Sequence, residues 1–456
     1  MGCPLAIDLL SFPMKKVFVL SLGCPRNLVD SEVLSGKLSA SGFCLADSAE
    51  DADIAIVNTC GFIEDAKKES IDYILSLAEM KKNGKLEKLV VTGCLAQRYP
   101  TELENEISEI DAIFGSSDFQ AIPDFLLNGF AGKKIKEVSV SPGYLYDHTS
   151  SRRLLTPPHS VYVKIQEGCS NSCSYCVIPS LKGPRRSRGL RSVVEEVIEL
   201  KKKYDAKEII LIGQDTTSFG FDGSGVSDVS DLLKEVSGVM TGGWVRLLYA
   251  HPAHFSDKLI ETIASSDNIC KYVDLPIQHI NDEILKMMNR HVSKEKILSL
   301  IKNIRTAIDG VVLRTSIIVG FPGEGERHFS ELIDVLEEVK FDRLGAFMYS
   351  REAGTPAADF PKQVPENIKR DRFEKVMELQ QAISAEKNEY FMGKTLKVLI
   401  DERDGGDEKL FIGRSEMDAP EVDGVVYVKG EGIVPGEFRN VKISGVMEYD
   451  LIGDTV

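Results

Sequence analysis

The sequence predicts a multidomain α/β protein with an N-terminal parallel α/β sheet domain, a central partial (βα)6 barrel and a small C-terminal antiparallel β-barrel. Short apolar strands alternate with amphipathic helices over the first 130 residues and again from about residue 160, a pattern typical of parallel sheets. From Thr395 onward the helices stop, and short alternating strands are separated by glycine-rich turns. This last pattern favours a small antiparallel barrel.

Changes in composition set the predicted boundaries between these domains. Proline, glycine and serine are frequent in residues 131–158, which is typical of a linker. Met14 is followed at once by two lysines and an apolar strand, so the residues before it are predicted to be an extension. The predicted parts are a possible extension (1–14), a first domain (15–130), a linker (131–158), a core (159–364), a connector helix (365–390) and a last domain (391–456).

Composition and charge narrow the classes of function. The chain has 456 residues, of which 43% are hydrophobic and 27% are charged, and no apolar run approaches the roughly 20 residues of a membrane span. A net charge of −15 argues against a strongly electrostatic nucleic-acid binder and permits a basic protein partner. Nine cysteines without a convincing secretory signal favour metal ligation in a reducing cytoplasm, away from membranes.

Three cysteines on one short loop are the most informative motif. Cys169, Cys173 and Cys176 follow the spacing Cys-x-x-x-Cys-x-x-Cys, with Tyr175 before the last cysteine. Three thiolates can bind three irons of a 4Fe-4S cluster and leave the fourth iron open to a ligand. Structural zinc usually takes four ligands, and the nearest histidine before the loop, His159, is ten residues away. Zinc and local disulfides are therefore the weaker interpretations.

Three further cysteines occupy equivalent positions in the first domain. Cys24, Cys60 and Cys94 each follow an apolar strand, and such loops gather at one edge of a parallel sheet. One such cysteine is most simply a small residue packed at a strand end, but three equivalent ones favour a second cluster. Cys44 and Cys270 lack this context, and Cys270 is predicted to be a core residue.

The cysteine loop resembles that of the radical S-adenosylmethionine (SAM) superfamily. In that family the amino and carboxylate groups of SAM chelate the open iron, and electron transfer cleaves SAM to a 5′-deoxyadenosyl radical. The core has six predicted strands, and functional groups of such (βα) repeats collect at the carboxyl ends of the strands. Residues at these ends are the candidate SAM contacts: Tyr175, Gln214, Gln278, Arg290 and Gly320.

Most of the chain resembles the methylthiotransferase family, which joins a three-cysteine domain, a radical SAM core and a C-terminal TRAM barrel. The motifs that carry the resemblance are the segments at residues 21–32, 58–63, 213–216 and 418–424. The resemblance implies that SAM serves both as methyl donor and as radical source. It also implies two 4Fe-4S clusters, with ligands at Cys24, Cys60 and Cys94 and at Cys169, Cys173 and Cys176.

Two branches of this family compete as interpretations. One acts on an aspartate of ribosomal protein uS12 and the other on an adenosine of tRNA. The run Cys24-Pro25-Arg26-Asn27 is similar to the ribosomal-protein branch, because the tRNA branch typically has Gln-Met after this cysteine. Asn281 departs from the expected serine. The implied partners are uS12 or the small ribosomal subunit, an electron donor such as flavodoxin or ferredoxin, and a source of sulfur.

The charge of the last domain gives an independent indication of the substrate. Residues 391–456 hold 14 acidic and 8 basic side chains, for a net charge of −6. An RNA-binding barrel should show a basic footprint, whereas an acidic one would steer a basic ribosomal protein. The leading hypothesis is therefore β-methylthiolation of a uS12 aspartate. The alternatives are the tRNA reaction, a non-catalytic iron-sulfur protein, and SAM-dependent methylation without a radical.

Overall fold

The computed structural model describes residues 15–128, 134–223, 227–407 and 409–456. The chain divides into two units, Met1–Leu155 and Thr156–Val456. The possible extension predicted at residues 1–14 lies outside the described residues. No helix in the described ranges is both long and apolar enough to cross a membrane.

A six-stranded sheet forms the centre of the first unit. Its order is β2-β1-β3-β4-β5-β6, and every neighbouring pair is parallel, which confirms the predicted fold class of this domain. All six residues of β3 are buried, as expected for a strand that is covered on both faces. The strands are β1 (Lys16–Ser21), β2 (Cys44–Leu45), β3 (Ile54–Thr59), β4 (Lys88–Gly93), β5 (Ala112–Phe114) and β6 (Ile135–Glu137).

Helices follow three of these strands and begin at a cysteine or within four residues of one. Pro25 opens the first helix, where its missing N–H and fixed φ are suited to the first turn. Ile74, Leu77 and Ala78 of the second helix pack with strand residues in one apolar cluster. The helices are α1 (Pro25–Ala40), α2 (Glu64–Lys82), α3 (Cys94–Arg98), α4 (Pro100–Glu106) and α5 (Ile122–Asn128).

The stretch predicted to be a linker is partly structured. Ile135–Glu137 form β6, which pairs with β5 at the edge of the sheet. Further along, Nε of Arg152 donates to the buried Glu32 carboxylate at 2.9 Å. A three-residue edge strand is too short to show the alternation that marks a strand in a sequence, so composition alone suggested a linker over residues 131–158.

Six parallel core strands organise the second unit. They form two three-stranded sheets, β7-β10-β11 and β12-β13-β14, which a parallel bridge between Val245 and Ile269 connects. In the described residues β7 and β14 do not pair, so the barrel is open, as predicted. The strands are β7 (Ser160–Lys164), β8 (Gln166–Glu167), β9 (Arg186–Ser187), β10 (Glu208–Ile212), β11 (Trp244–Leu247), β12 (Tyr272–Asp274), β13 (Val312–Val319) and β14 (Arg343–Met348).

Helices connect the core strands, and a long helix follows the last of them. This helix, predicted as a connector, has 24 residues, and its amino-terminal part contacts a turn of the core. Short 3₁₀ helices lie at Thr216–Ser218 and Pro356–Asp359. The α-helices are α6 (Ile178–Lys182), α7 (Leu190–Tyr204), α8 (Val229–Val239), α9 (Asp257–Ser265), α10 (Asp282–Met287), α11 (Lys294–Ala307), α12 (Glu326–Val339) and α13 (Glu366–Glu389).

The C-terminal residues form a closed five-stranded barrel. Its order is β15-β16-β17-β19-β18. All neighbouring pairs are antiparallel except β17 and β19, which are parallel. The strands are β15 (Thr395–Arg403), β16 (Leu410–Ser415), β17 (Val426–Lys429), β18 (Phe438–Val446) and β19 (Leu451–Thr455).

Buried ion pairs join this barrel to the amino ends of the core strands. Arg414 of β16 contacts Glu208, the first residue of β10, and Asp401, both at 2.8 Å. Arg246 of β11 contacts the other oxygen of Glu208 at 2.8 Å. Burial alone would raise the pKa of Glu208, but Arg414 and Arg246 outweigh it and lower this pKa to about 2. Glu208 is therefore ionised inside the interface.

A second group of contacts extends the same interface. Arg343, the first residue of β14, donates to Asp418 at 2.6 Å. The hydroxyl of Tyr272, the first residue of β12, donates to Asp423 at 2.5 Å. Charged groups that are removed from water need a counterion and hydrogen bonds of this kind to offset the loss of hydration. The closed barrel thus covers the amino ends of the core strands.

An aromatic contact completes this interface. Trp244, the single tryptophan of the chain, is the first residue of β11. Its ring meets Phe438 of β18 edge to face at 4.7 Å between centroids. The Lys397 ammonium lies 3.9 Å from the Phe438 ring centroid, a cation–π distance. Apolar and charged contacts therefore hold the same two parts together.

Candidate functional site

The three cysteines of the first unit lie at one edge of the sheet. They follow the neighbouring parallel strands β1, β3 and β4, and Cys94 is the first residue of α3. A Cβ on Gly23 would lie 2.7 Å from Cβ of Cys60, and one on Gly61 would lie 2.8 Å from the carbonyl carbon of Cys94. Only glycine permits such close approaches, so the sequence brings the three cysteine loops into contact.

The environment of these thiols suits metal ligation. Cys60 and Cys94 are buried. Burial raises the pKa of Cys60, the neighbouring Cys24 raises it further, and Arg26 opposes the shift. Thiolates crowded in this way are stabilised when a cation replaces their protons. The residues present therefore fit an iron-sulfur cluster at this edge.

Polar side chains that the sequence analysis did not single out hold the three loops in place. The Asn27 amide donates to the backbone oxygens of Leu22 at 3.1 Å and Thr59 at 3.0 Å. The Asn58 amide donates to the backbone oxygen of Asn27 at 2.9 Å, and Ser70 accepts from the Cys60 N–H at 3.0 Å. Asn27 and Asn58 lie within the motifs at residues 21–32 and 58–63, which was the available signal.

The second cysteine loop starts from a short ribbon in the second unit. Strands β8 and β9 pair antiparallel beside it, and the Cys169 N–H donates to the Gly183 oxygen at 3.1 Å. A Cβ on Gly168 would lie 2.2 Å from the Pro184 oxygen, so the ribbon closes tightly. Cys169, Cys173 and Cys176 are all partly exposed, and burial raises the pKa of Cys169. The loop can offer three thiolates to a ligand.

The segment after α10 supports this loop. Ser174 N–H donates to the Met288 oxygen at 3.0 Å, and the Asn289 amide donates to the Ser172 oxygen at 2.8 Å. Arg290 is buried and directs Nη1 to the Cys173 sulfur at 3.8 Å. Burial raises the pKa of Tyr175 well above its usual value. Candidate Arg290 thus lies against the cysteine loop, which itself contains candidate Tyr175.

A buried charged group lies directly before the loop. Glu167 is paired with Nζ of Lys164 at 2.6 Å, and Nζ of Lys182 is 4.0 Å away. The Gln214 amide donates to the second oxygen of Glu167. Burial disfavours this carboxylate, but the two lysines keep the pKa of Glu167 below its usual value. Candidate Gln214 is therefore fixed to Glu167, which lies two residues before Cys169 in the chain.

Asp215 connects the loop after β10 to the cysteine loop. Its Oδ2 accepts from the Asn171 amide and contacts Nδ1 of His254, each at 2.7 Å. Its Oδ1 accepts from the Thr217 hydroxyl at 2.7 Å, and the described contacts include no cap of the following 3₁₀ helix by this side chain. Burial lowers the pKa of the adjacent His251 to about 3. His254 and the His251 ring stacked on it thus lie beside the cysteine loop.

Gln278 and Gly320 lie at the carboxyl ends of β12 and β13. Gln278 has a φ of 68°, a left-handed conformation that costs a non-glycine residue free energy and is concentrated at functional sites. The Gly320 N–H donates to both oxygens of Glu324 at 3.0 Å. Arg372 of α13 donates to Glu324 at 2.8 Å. Nothing in the sequence indicated this role, because Arg372 and Glu324 are 48 residues apart along the chain.

Family models match three parts of the chain. The model described as "Uncharacterized protein family UPF0004" matches residues 16–115. The radical SAM superfamily model matches residues 163–336, and the TRAM domain model matches residues 392–456.

Curated relatives align with almost the whole chain. The relative from Desulforamulus reducens, named "Ribosomal protein uS12 methylthiotransferase RimO", is 47% identical over 97% of this chain and 99% of its own length. The relative of the same name from Clostridioides difficile is 46% identical over the same shares.

Solved structures share the architecture at low sequence identity. The radical S-adenosylmethionine methyltransferase TsrM from Kitasatospora setae, with cobalamin and a [4Fe-4S] cluster bound, matches with a TM-score of 0.55 at 15% identity. The match covers 76% of this chain and 74% of TsrM. This likeness supports the fold.

Proposed function

The chain belongs to the RimO family of radical SAM methylthiotransferases, and from that premise we propose that it methylthiolates the β-carbon of an aspartate in ribosomal protein uS12. Its relatives of this name align nearly end to end with it. The tRNA alternative is not favoured, since those relatives and the motif after Cys24 agree on the ribosomal-protein branch. SAM and 4Fe-4S clusters are the cofactors of this family.

The observation that carries this proposal is the presence of two cysteine triads, each at the carboxyl ends of parallel strands. We assign one cluster to Cys24, Cys60 and Cys94 of a first domain at residues 15–130. The other is assigned to the loop of Cys169, Cys173 and Cys176 in a core at residues 159–364. Buried or crowded thiols in both triads support the assignment.

Side chains of the core orient the reactants. When bound, the cluster of the core supplies an electron to SAM, and SAM supplies both the radical and the methyl group. Arg290 donates to the sulfur of Cys173 and so stabilises a thiolate there. We propose that Gln214, Gln278, Tyr175 and the backbone of Gly320 contact SAM, because they surround the same end of the strands.

The partners follow from the reaction. An electron donor such as flavodoxin or ferredoxin and a source of sulfur are needed, and we place the reaction in the cytoplasm with the small ribosomal subunit. The acidic last domain supports a basic protein substrate, since complementary charge accelerates association.

Anaerobic reconstitution tests this function. The purified chain, incubated with SAM, a reductant and uS12, is expected to add one methylthio group to an aspartyl peptide and to form 5′-deoxyadenosine, as read by mass spectrometry. Modification of a tRNA adenosine instead of uS12 would favour the other branch. Absence of 5′-deoxyadenosine would support a non-catalytic iron-sulfur protein.

Iron and sulfide counting tests the two cluster assignments separately. Wild type should bind about eight irons as two cubane clusters. A triple Cys24→Ala, Cys60→Ala, Cys94→Ala variant should bind about four irons and still cleave SAM. Equal iron content in the two proteins would contradict the first assignment.

A further inference from the structure

A basic run follows the cysteine loop, and one of its arginines differs from the others. The run consists of Lys182, Arg185, Arg186, Arg188 and Arg191. Arg186 donates to the Pro184 oxygen at 2.7 Å, Arg188 pairs with Glu196 and donates to the Ser192 oxygen at 3.0 Å, and Arg191 pairs with Glu195. The Nε atoms of Arg185, Arg186 and Arg188 are all shielded from water without a partner. In the described part of the chain, however, Arg185 differs in that no nitrogen of its guanidinium has a hydrogen bond or an ion pair. Unpaired shielded donors are costly, which points to a missing acceptor.

Phe221 holds this guanidinium in a defined place. Cζ of Arg185 lies 5.7 Å from the Phe221 ring centroid, and this ring is 54% exposed. The turn that carries it is fixed to β9, since Gly220 N–H donates to Ser187 Oγ at 3.0 Å and Ser187 N–H donates to Asp222 at 2.5 Å. An arginine that contacts an aromatic face keeps its edge N–H groups for an acceptor.

The pair lies at the rim of the cysteine loop. The Arg185 N–H donates to Ser170 Oγ at 3.2 Å, and the Phe221 ring meets His254 edge to face at 5.7 Å. His254 contacts Asp215, which in turn accepts from Asn171. Ser170 and Asn171 stand between Cys169 and Cys173. These contacts form a ring around Ser170 and Asn171, and the Arg185 guanidinium lies at the edge of this ring.

A carboxylate is the acceptor that fits this guanidinium best. Arginine and carboxylate form two parallel charge-assisted hydrogen bonds, and the one acidic side chain in the ring, Asp215, already bonds Asn171, Thr217 and His254. An amide side chain offers a single oxygen and no charge, so the subsite would distinguish aspartate from asparagine.

We propose that Arg185 and Phe221 form a carboxylate subsite for the side chain of the uS12 aspartate that is modified. The subsite rests on the proposed function, because that reaction supplies an aspartate. Two N–H groups of Arg185 donate to the two carboxylate oxygens, and this contact positions the adjacent β-carbon at the rim of the loop. Arg185 is thus a residue that determines substrate specificity.

The test compares labelled uS12 peptides that carry aspartate or asparagine at the modified position. Their affinities for the reconstituted protein with SAM are measured by fluorescence anisotropy, and turnover of the aspartate peptide by mass spectrometry. R185Q should weaken binding and kcat/KM for the aspartate peptide about 10- to 100-fold. Binding of the asparagine peptide should change less than about twofold. R185K should retain part of the preference.

Two controls make this result specific. R191Q removes a charge from the same run at a side chain that is 91% exposed, and it should leave the aspartate preference unchanged. Iron content of R185Q should equal that of wild type, which shows that the cysteine loop is intact. F221L should reduce the aspartate preference less than R185Q, because the charge remains.

Three results would overturn the subsite or separate it from the proposed function. An unchanged aspartate preference in R185Q overturns it. A second outcome would assign Arg185 to the carboxylate of SAM instead. In that case R185Q would bind SAM more weakly in the absence of peptide, as measured by equilibrium dialysis, while its preference between the two peptides would be unchanged. Failure of wild type to modify uS12 overturns the proposed function. The ratio of the affinities for the aspartate and asparagine peptides, measured by fluorescence anisotropy, would still show whether the subsite exists.

Discussion

The two ends of the core strands in the second unit differ in how their polar groups are used. At the carboxyl ends, polar groups remain available for ligands. At the amino ends, polar groups pair with one another within the fold. The carboxyl ends carry three partly exposed thiols, the left-handed Gln278 and the guanidinium of Arg185, which contacts the Phe221 ring but has no hydrogen bond or ion pair among the described residues. At the amino ends, Glu208 bonds both Arg246 and Arg414 out of contact with water. One set of six strands thus combines a reactive end with a stabilising end, as (βα) barrels generally do.

The largest expected effect comes from the reactive end. Cys173→Ala removes the central cysteine of the loop that we propose binds the core cluster, so formation of 5′-deoxyadenosine should fall by at least about 1,000-fold. Iron should decrease from about eight to about four per chain, and the midpoint of urea unfolding should change little. Retained activity would support methylation without a radical.

At the stabilising end, Glu208→Gln should lower the free energy of unfolding by about 3–5 kcal/mol, because Arg246 and Arg414 lose their buried counterion. Urea unfolding followed by circular dichroism measures this. Glu195→Gln is the matched control, since it breaks the exposed pair with Arg191 and should cost less than about 1 kcal/mol. Equal losses in the two variants would refute the contrast between buried and exposed pairs.

Acid should weaken the stabilising end through the same carboxylate. The pKa of Glu208 is lowered from 4.5 to about 2 in the folded state, so the unfolded state binds a proton first as the pH falls. The contribution of ionised Glu208 to the free energy of unfolding is complete above pH 4.5 and is lost as the pH falls toward about 2. Between pH 6 and pH 3, wild type should lose more unfolding free energy than Glu208→Gln. Parallel losses would contradict the assignment.

Arg372 tests how the long helix supports the reactive end. Arg372→Gln removes a buried donor to Glu324, which holds the Gly320 turn, so the KM for SAM should rise about tenfold. Iron content and kcat should change little, and Arg372→Lys should partly restore the KM. Arg370→Gln, on the exposed side of the same helix, is the control. A change in kcat alone would argue against a positioning role.

The smallest effect concerns backbone conformation. Gln278→Gly should stabilise the protein by up to about 1 kcal/mol, because glycine adopts a positive φ without strain, while SAM binding should weaken. Glu421 has the same φ of 68° in the last barrel. Glu421→Gly should therefore stabilise similarly and leave SAM binding intact. Thermal unfolding and SAM affinity separate the two outcomes.

Local patterns in the sequence predicted much of this architecture. All six predicted core strands coincide with strands of the structure, because strand periodicity is a local property. Their predicted starts lie near Val161, Glu208, Val245, Tyr272, Val311 and Leu344. The fold class was therefore confirmed for all three parts of the chain. Likewise, cysteine spacing and glycines indicated where the loops of the candidate site would lie.

Contacts between distant elements were not predictable in this way. Glu208 and Arg414 are 206 residues apart, and Arg372 lies in a helix whose composition indicated only a connector. No local pattern encodes such pairs, because they depend on how strands and helices are arranged in space. The same holds for Arg185. That its guanidinium has no hydrogen bond or ion pair among the described residues can be seen only in the structure, where the contacts of the neighbouring arginines are known.

The edge-to-face contact between Trp244 and Phe438 gives the protein a built-in optical probe. Because the chain has a single tryptophan, its tryptophan fluorescence arises from one position, where the first residue of β11 meets the last barrel. Separation of that barrel from the core would bring water to the indole and shift its emission to longer wavelength. Undocking of the two parts can therefore be followed in real time without a label.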